Sequence, residues 1–401
     1  MNNFNILKNK KLLIILWMAF ATFAKADVIA QDSTSHRFTT LKLEVRADFD
    51  VSAEFYGTRG AKSQLSGMDC DTVNYGFNGK YFNLCLGGEF GKGFSYYFRQ
   101  RIIASDGAVS FFDNTDFLYL QYRFKDHWAV RVGKEALAIG GFEYDAPPID
   151  VLYYSYFWGQ VYCFQLGGHV SYADNSGRNK VTLQVATSPY VHYAGSGSEW
   201  KKGLFGYSLM WNGNFPHFQT IYSVNFFERK RGEFVNYIVL GNRLHFGLWS
   251  WYVDYQNRAF SLDKHFFDNF SIVTRMNFAV RPVNLFVKAG FDQNLVDASV
   301  VLHPSHEVLD PMMIPGYGRL FYGLGVEYRP TKCPSVRLHA FVNHSVLFPV
   351  YEGMERSSAI NGNVGITWQV DFLRYFKRLQ EKKDIKNENP KEEDTGVRPL
   401  D

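Results

Sequence analysis

Alternation between apolar and polar residues dominates the pattern of this chain. In LKLEVRADF, residues 41–49, every second side chain is apolar and the four between them are charged. A period of two residues predicts a β-strand with one apolar and one polar face. In a soluble protein the apolar face lies in the core, whereas in a membrane barrel it contacts lipid and the charges line a wet interior. Alternation alone does not distinguish these two arrangements.

Segments of this kind recur as far as residue 372. Their length, near ten residues, and their even number are typical of outer-membrane barrels, whose strands cross the bilayer at a tilt. We predict about sixteen strands, at 38–49, 77–90, 94–104, 115–124, 128–137, 161–172, 180–188, 203–211, 217–227, 235–246, 249–257, 269–281, 284–293, 318–329, 335–344 and 361–372.

The connections between these strands alternate in length. Short turns such as GKGF, KDH and NGNF are followed by longer segments at 50–76, 138–160, 189–202, 294–317 and 345–360. Trp128, Trp211 and Trp249 lie beside the short turns, as expected for an aromatic girdle at a membrane interface. The pattern therefore predicts an all-β transmembrane antiparallel barrel over 38–372, with short periplasmic turns and long extracellular loops. Lys42, Glu44, Arg46 and Asp48 would then face a water-filled lumen.

Both ends of the chain fit export to the outer membrane of a Gram-negative bacterium. Three lysines precede an apolar run of about thirteen residues, which is typical of a signal peptide. We predict a signal peptide over 1–26, with cleavage after residue 30 as an alternative. The chain contains 43 basic and 39 acidic residues, and the four basic residues in excess lie in 1–26, so bulk charge does not favour a nucleic-acid partner. Residues 373–401 form a charged tail that we place in the periplasm.

No catalytic pattern stands out among the eleven histidines. An enzyme built on a barrel is an alternative, with His303, Ser305 and His306 as its nearest candidates, and a structural barrel without a channel is another. A gated transporter would require a plug domain, for which only about twelve residues separate Ala26, the end of the predicted signal peptide, from the first strand. We predict no catalytic residues, no cofactor and no metal site, although the carboxylates of Glu143, Asp145 and Asp150 have the chemistry that binds Ca²⁺.

One stretch resembles a known family. The sequence RVGKEALAIGGFEYDAPPIDVLYYSYF, residues 131–157, contains a G-K-x5-G-G-x-E pattern that is similar to the phosphate-selective porins of the O and P type. Residues 87–102 and 180–190 resemble the same family. The resemblance implies a sixteen-stranded, homotrimeric porin through which small hydrophilic or anionic solutes diffuse, and a third long loop that folds inward. The residues of this chain that match the G-K-x5-G-G-x-E pattern are Gly133, Lys134, Gly140, Gly141 and Glu143.

Residues 138–160 are therefore the predicted constriction loop. A glycine pair and a proline pair suit a segment that bends sharply and then holds its shape. The aromatic run VLYYSYFW, residues 151–158, would form an exposed apolar patch if the loop projected into water. We expect the loop to pack against the inner wall. Its candidate site residues are Gly140, Gly141, Glu143, Tyr144, Asp145 and Asp150.

Four arginines on three consecutive predicted strands form the candidate anion site. Strand parity turns them all inward, in the half of the barrel nearer the short turns, with no inward acid before Glu135. Guanidinium groups suit phosphate and carboxylate oxygens. Elsewhere the inward-facing charges are mixed, so we predict a weak preference for anions and no tight selectivity for phosphate. The four residues are Arg99, Arg101, Arg123 and Arg131.

Overall fold

The computed structural model describes residues 40–57, 70–90, 93–102, 111–124, 127–193, 203–259, 269–294, 317–349 and 356–373. These residues form a closed barrel of sixteen antiparallel strands, in which β1 pairs with β16 and every other neighbour is consecutive in the chain. The predicted all-β barrel is confirmed. The predicted signal peptide and the tail from 374 onward lie outside the described residues, as does the alternative enzymatic site at His303.

The strands follow the predicted order closely. The first eight are β1 (Thr40–Gly57), β2 (Cys70–Phe90), β3 (Phe94–Arg101), β4 (Thr115–Phe124), β5 (Trp128–Ala136), β6 (Phe164–Ala173), β7 (Asn179–Thr187) and β8 (Phe205–Asn214). The second eight are β9 (Phe218–Lys230), β10 (Glu233–Phe246), β11 (Trp249–Ala259), β12 (Asn269–Val280), β13 (Val283–Asn294), β14 (Tyr317–Tyr328), β15 (Val336–Pro349) and β16 (Arg356–Asp371).

The first predicted loop, 50–76, was placed wrongly. β1 continues to Gly57, where it pairs with Arg356 of β16, and β2 already begins at Cys70. The reason lies in the sequence, because the alternation of 41–49 runs on: Val51, Ala53 and Phe55 keep the apolar parity. The hairpin of β1 and β2 is therefore longer than a membrane crossing requires.

The polarity of the barrel is inverted relative to a soluble protein. On β16, Val364 is 62% exposed whereas Thr367 is 3% exposed, and on β7 Leu183 is exposed whereas Gln184 is buried. Apolar side chains thus cover the outside, where lipid would contact them, and polar side chains point inward. Arg46 and Asp48 lie on this inward face and are buried. The charged face of the first strand is therefore the inner one.

The segment between β5 and β6 lies inside the barrel. It contains two short helices, α1 (Phe142–Asp145) and α2 (Tyr156–Gln160), separated by a 3-10 turn at Pro148–Asp150. Ser155 caps α2, since its side chain accepts a hydrogen bond from the backbone N–H of Trp158. Among the described residues, no helix has the length and the apolar character needed to cross a membrane.

The hydrophobic core is formed between this inner segment and the barrel wall. Phe157 is fully buried, with its ring 5.5 Å from that of Tyr237 on β10. Tyr153 packs against Phe286 and Phe321 in a second cluster. Burial of such aromatic rings contributes strongly to holding two elements together. The inner face of the wall therefore carries apolar side chains where these rings pack.

Candidate functional site

The glycine pair brings the inner segment against the wall. A Cβ atom on Gly140 would lie 2.7 Å from the carbonyl oxygen of Ile221, and Gly141 has a φ of 93°, which disfavours other residues. Gly241 of β10 meets Gly141 so closely that a Cβ on it would lie 2.8 Å from the Gly141 Cα. The backbone N–H of Gly140 donates to the Ser223 hydroxyl at 2.8 Å. Residues without a side chain are thus required at this contact.

Buried charges then fix the start of α1. The Asp254 carboxylate of β11 accepts hydrogen bonds from the backbone N–H groups of Phe142 at 2.9 Å and Glu143 at 2.7 Å. The Glu143 carboxylate forms an ion pair with Lys288 of β13 at 2.6 Å and accepts from the backbone N–H of Ser155 at 3.0 Å. Glu143 and Lys288 are both buried, so each charge requires the other.

Two arginines hold the middle of the segment. Arg46 of β1 donates to the Val151 carbonyl at 2.9 Å, and Arg337 of β15 donates to the Ile149 carbonyl at 2.8 Å. Arg337 also forms an ion pair with Asp150. Contacts with the segment therefore run from β9 through β15 to β1, and we refer to these strands as the covered wall.

The opposite side of the barrel is not covered. A cavity of about 950 Å³ lies between most of the inner segment and β2–β8, which we refer to as the open wall. The segment contacts this wall at Ala138, whose backbone N–H donates to the Gln184 side chain of β7 at 2.6 Å. Arginines on the open wall are stacked on aromatic rings: the Arg131 guanidinium carbon lies 4.0 Å from the Tyr119 ring centroid, and that of Arg99 lies 4.6 Å from the Phe117 centroid. Such stacking holds the guanidinium groups flat against the wall.

The structure brings three of the four predicted arginines to this cavity. Arg99, Arg101 and Arg131 line it, whereas Arg123 lies one residue from the end of β4 and does not. The prediction that no inward acid separates them was wrong. Asp116 forms ion pairs with both Arg99, at 3.0 Å, and Arg101, at 2.9 Å. The pairing of β3 with β4 shifts register between Arg99 and Gln100, and this irregularity turns Asp116 inward against simple parity.

One lysine at the cavity was not singled out from the sequence. Lys180 of β7 alternates with Val181 and Leu183, so its inward position was visible in the pattern. Glu135 forms an ion pair with Arg131 at 3.0 Å and a hydrogen bond with His169 at 2.8 Å. Of the described residues that line the cavity, five are Lys or Arg and four are Asp or Glu, which leaves one net positive charge when His169 is neutral. The nine are Arg99, Arg101, Arg131, Lys134, Lys180, Asp113, Asp116, Glu135 and Asp145.

The acidic residues of the inner segment point in different directions. Glu143 and Asp150 face the covered wall, whereas Asp145 faces the cavity. Enclosure by the barrel raises the pKa of the Asp145 carboxyl, although Arg243 and Lys180 act in the opposite direction. Burial also raises the pKa of Tyr144, which lines the cavity beside it. Within the described ranges, no group of three potential ligands is arranged to bind a metal ion.

The comparison with known proteins decides the family. The model of the family "Phosphate-selective porin O and P" matches residues 41–282, which is more than half of the chain. The chain belongs to this family. The resemblance seen in the sequence is confirmed, and so is the outer membrane as the location of this porin. The matched residues run from β1 to just before β13 and include the inner segment and the whole open wall.

Solved structures share the fold of this porin at low sequence identity. The outer membrane channel DcaP of Acinetobacter baumannii superimposes with a TM-score of 0.52 and 10% identity, over 83% of this chain and 99% of its own. OmpT of Vibrio cholerae gives 0.51 and 10%, over 84% and 99%. An anion-selective porin from Comamonas acidovorans gives 0.50 and 12%, over 83% and 100%. No curated protein sequence matches the chain.

Proposed function

We propose that this porin is a passive channel with a weak preference for small anions, and that solutes pass between the inner segment and the open wall. The observation that carries the proposal is the charge of the cavity. Its five cationic groups exceed its four carboxylates by one, and Arg99, Arg101 and Arg131 all have carboxylate partners. Such a cavity attracts anions without retaining them, because each guanidinium already shares an acid.

The inner segment is proposed as the constriction. It occupies the space beside the covered wall and leaves the cavity as the open part of the interior. Residues Tyr144, Asp145 and Trp158 form its face toward the cavity. A pore bounded by a wall of stacked arginines and a fixed loop selects by charge and width together.

A channel explains the cavity better than an enzyme does. Among the described residues that line the cavity, His169 is the only imidazole, and its Nδ1 lies 2.8 Å from Glu135 on the wall. Glu135 also pairs with Arg131, so this imidazole belongs to the charge network of the wall. We further propose that the porin is a homotrimer, as the family resemblance implies. Native mass spectrometry of the detergent-extracted protein tests this oligomeric state.

Planar lipid bilayers test the proposed selectivity. The purified protein should produce stepwise conductance, and a KCl gradient at low salt should give a reversal potential that favours chloride modestly. The preference should fade toward 1 M salt, where the Debye length falls to about 3 Å. A preference for potassium would contradict the proposal, and a folded protein without conductance steps would contradict the channel itself.

A further inference from the structure

Three aromatic side chains of the inner segment, at positions 154, 158 and 162, are exposed or half-buried. Tyr154 is 44% exposed and Tyr162 is 49% exposed, whereas Phe142, Tyr153 and Phe157 of the same segment are buried. Trp158 is half-buried and lines the cavity together with Tyr162. Large exposed rings in a water-filled interior are the usual mark of a ligand surface. We refer to Tyr154, Trp158 and Tyr162 as the aromatic platform.

The packing around the platform holds its rings in place. The rings of Tyr154 and Trp158 lie 4.8 Å apart at an angle of 36°. Gly159 leaves room for Tyr154, because a Cβ there would lie 2.5 Å from the ring. Arg319 of the covered wall donates to the Tyr154 carbonyl at 3.3 Å. Ordered rings lose little freedom when a solute stacks on them.

Charged groups line the same cavity as Trp158 and Tyr162 of the platform. Arg101 is 45% exposed there although it pairs with Asp116. Its guanidinium group offers donors to an acidic group. The exposed Asp145 carboxylate offers acceptors, which repel a bare anion but receive hydrogen bonds from hydroxyl groups.

From these three chemistries we propose that the preferred solutes of this channel are acidic sugars, meaning small sugars with one phosphate or carboxylate group. The apolar face of the sugar ring stacks on the platform, its hydroxyl groups donate to Asp145, and its acidic group contacts Arg101. Inorganic phosphate satisfies only the last of these interactions, and neutral sugars satisfy only the first two. The proposal rests on the proposed function, because it assigns a solute class to the same cavity.

Block of the chloride current by added solutes tests this assignment in planar bilayers. Glucose 6-phosphate, glucuronate, glucose and inorganic phosphate are titrated separately onto open channels at low salt. For one or both acidic sugars, we expect the concentration that halves the chloride current to be about fivefold or more below the half-blocking concentrations of glucose and of phosphate. A response to glucose 6-phosphate alone identifies a phosphate-bearing sugar, and a response to glucuronate alone identifies a carboxylate-bearing one.

Two variants separate the platform from general effects. In Tyr154→Ala combined with Trp158→Ala, block by the acidic sugars should weaken about fivefold while block by phosphate stays within about twofold. Trp158→Phe keeps a ring and should retain the block, which covers the case in which the double variant fails to fold. Trp368→Ala, at an exposed position on β16, is the matched control and should behave as the unchanged protein.

The proposal is overturned if acidic sugars block no better than phosphate or glucose, or if the double variant leaves their block unchanged. It is equally overturned if the Trp368→Ala control weakens the block as much. These outcomes are distinct from failure of the proposed function. A channel that prefers chloride but ignores acidic sugars contradicts only the assignment of the solute, whereas a channel that prefers potassium contradicts both.

Discussion

The covered wall and the open wall of this barrel carry similar charged residues in different surroundings. On the covered wall, Arg46, Asp254 and Lys288 are bonded to backbone or side-chain groups of the inner segment. On the open wall, Arg101 and Arg131 pair with carboxylates of their own wall and still face the cavity. An inward-pointing charge on a barrel strand therefore faces the water-filled lumen only where the inner segment does not cover that strand.

The apolar residues show the same contrast. Val235, Tyr237 and Val239 of β10 point into the barrel and are fully buried, because the inner segment packs on them. The inward residues of β7, such as Thr182 and Gln184, are polar and line the cavity. β10 is therefore apolar on both faces where the segment packs on it, whereas β7 alternates between apolar and polar residues.

Removing the inner segment should give the largest effect. Deletion of residues 144–158 exposes the covered wall to water and widens the narrowest cross-section, so single-channel conductance should rise about twofold or more. Measurement in planar bilayers, on protein that retains the heat-modifiable migration of a folded barrel, checks this. Unchanged conductance would exclude the segment as the constriction.

Breaking one buried contact should loosen the segment without removing it. Lys288→Met leaves the buried Glu143 carboxylate without its cation, which costs about 3–5 kcal/mol in comparable sites. We expect a noisier open channel with raised conductance. Adding Glu143→Gln removes the unpaired charge, so the noise and the conductance should partly return to those of the unchanged protein. Lys80→Met is the control. It removes an exposed lysine of β2 that pairs with Asp50 of β1, and it should change neither the noise nor the conductance. Equal behaviour of the two lysine variants would contradict the assigned role of Lys288.

A smaller effect is expected on the open wall from Asp116. Asp116→Asn removes the carboxylate shared by Arg99 and Arg101, so the net positive charge of the cavity rises by one. The permeability ratio of chloride to potassium should increase about twofold at low salt. Reversal potentials measure this ratio, and a decrease would show that Asp116 does not compensate these arginines.

The smallest effect concerns pH and Asp145. Its pKa is raised above the ordinary value of 3.8 by desolvation within the barrel, so its negative charge is lost at a higher pH as the solution is acidified. The preference for chloride should therefore increase on acidification before ordinary carboxyl groups titrate. Asp145→Asn should show the higher preference already at neutral pH and lack this step. If both proteins respond alike, another group is responsible.

The sequence predicted the barrel because its signal is local: each strand carries its own alternation, as Leu183, Gln184 and Val185 show. The position of Asp116 could not be predicted, because an irregular register opposite Arg99 reverses its parity. The Glu143–Lys288 pair joins residues far apart in the chain and depends on where the inner segment lies. The Gly140–Gly141 pair indicated from the sequence that this segment bends sharply. The role of Gly241 could not be predicted, because it depends on the close contact of Gly241 with Gly141 in the folded barrel.

The reversal potential of one double variant tests the central claim most directly. Arg101→Gln with Arg131→Gln reduces the cationic groups at the cavity from five to three against four carboxylates, so the modest preference for chloride should invert at low salt. Arg123→Gln is the control. It removes an arginine of β4 that does not line the cavity, and it should leave the preference for chloride nearly unchanged. An unaltered reversal potential in the double variant, or an equal shift in Arg123→Gln, would contradict the account.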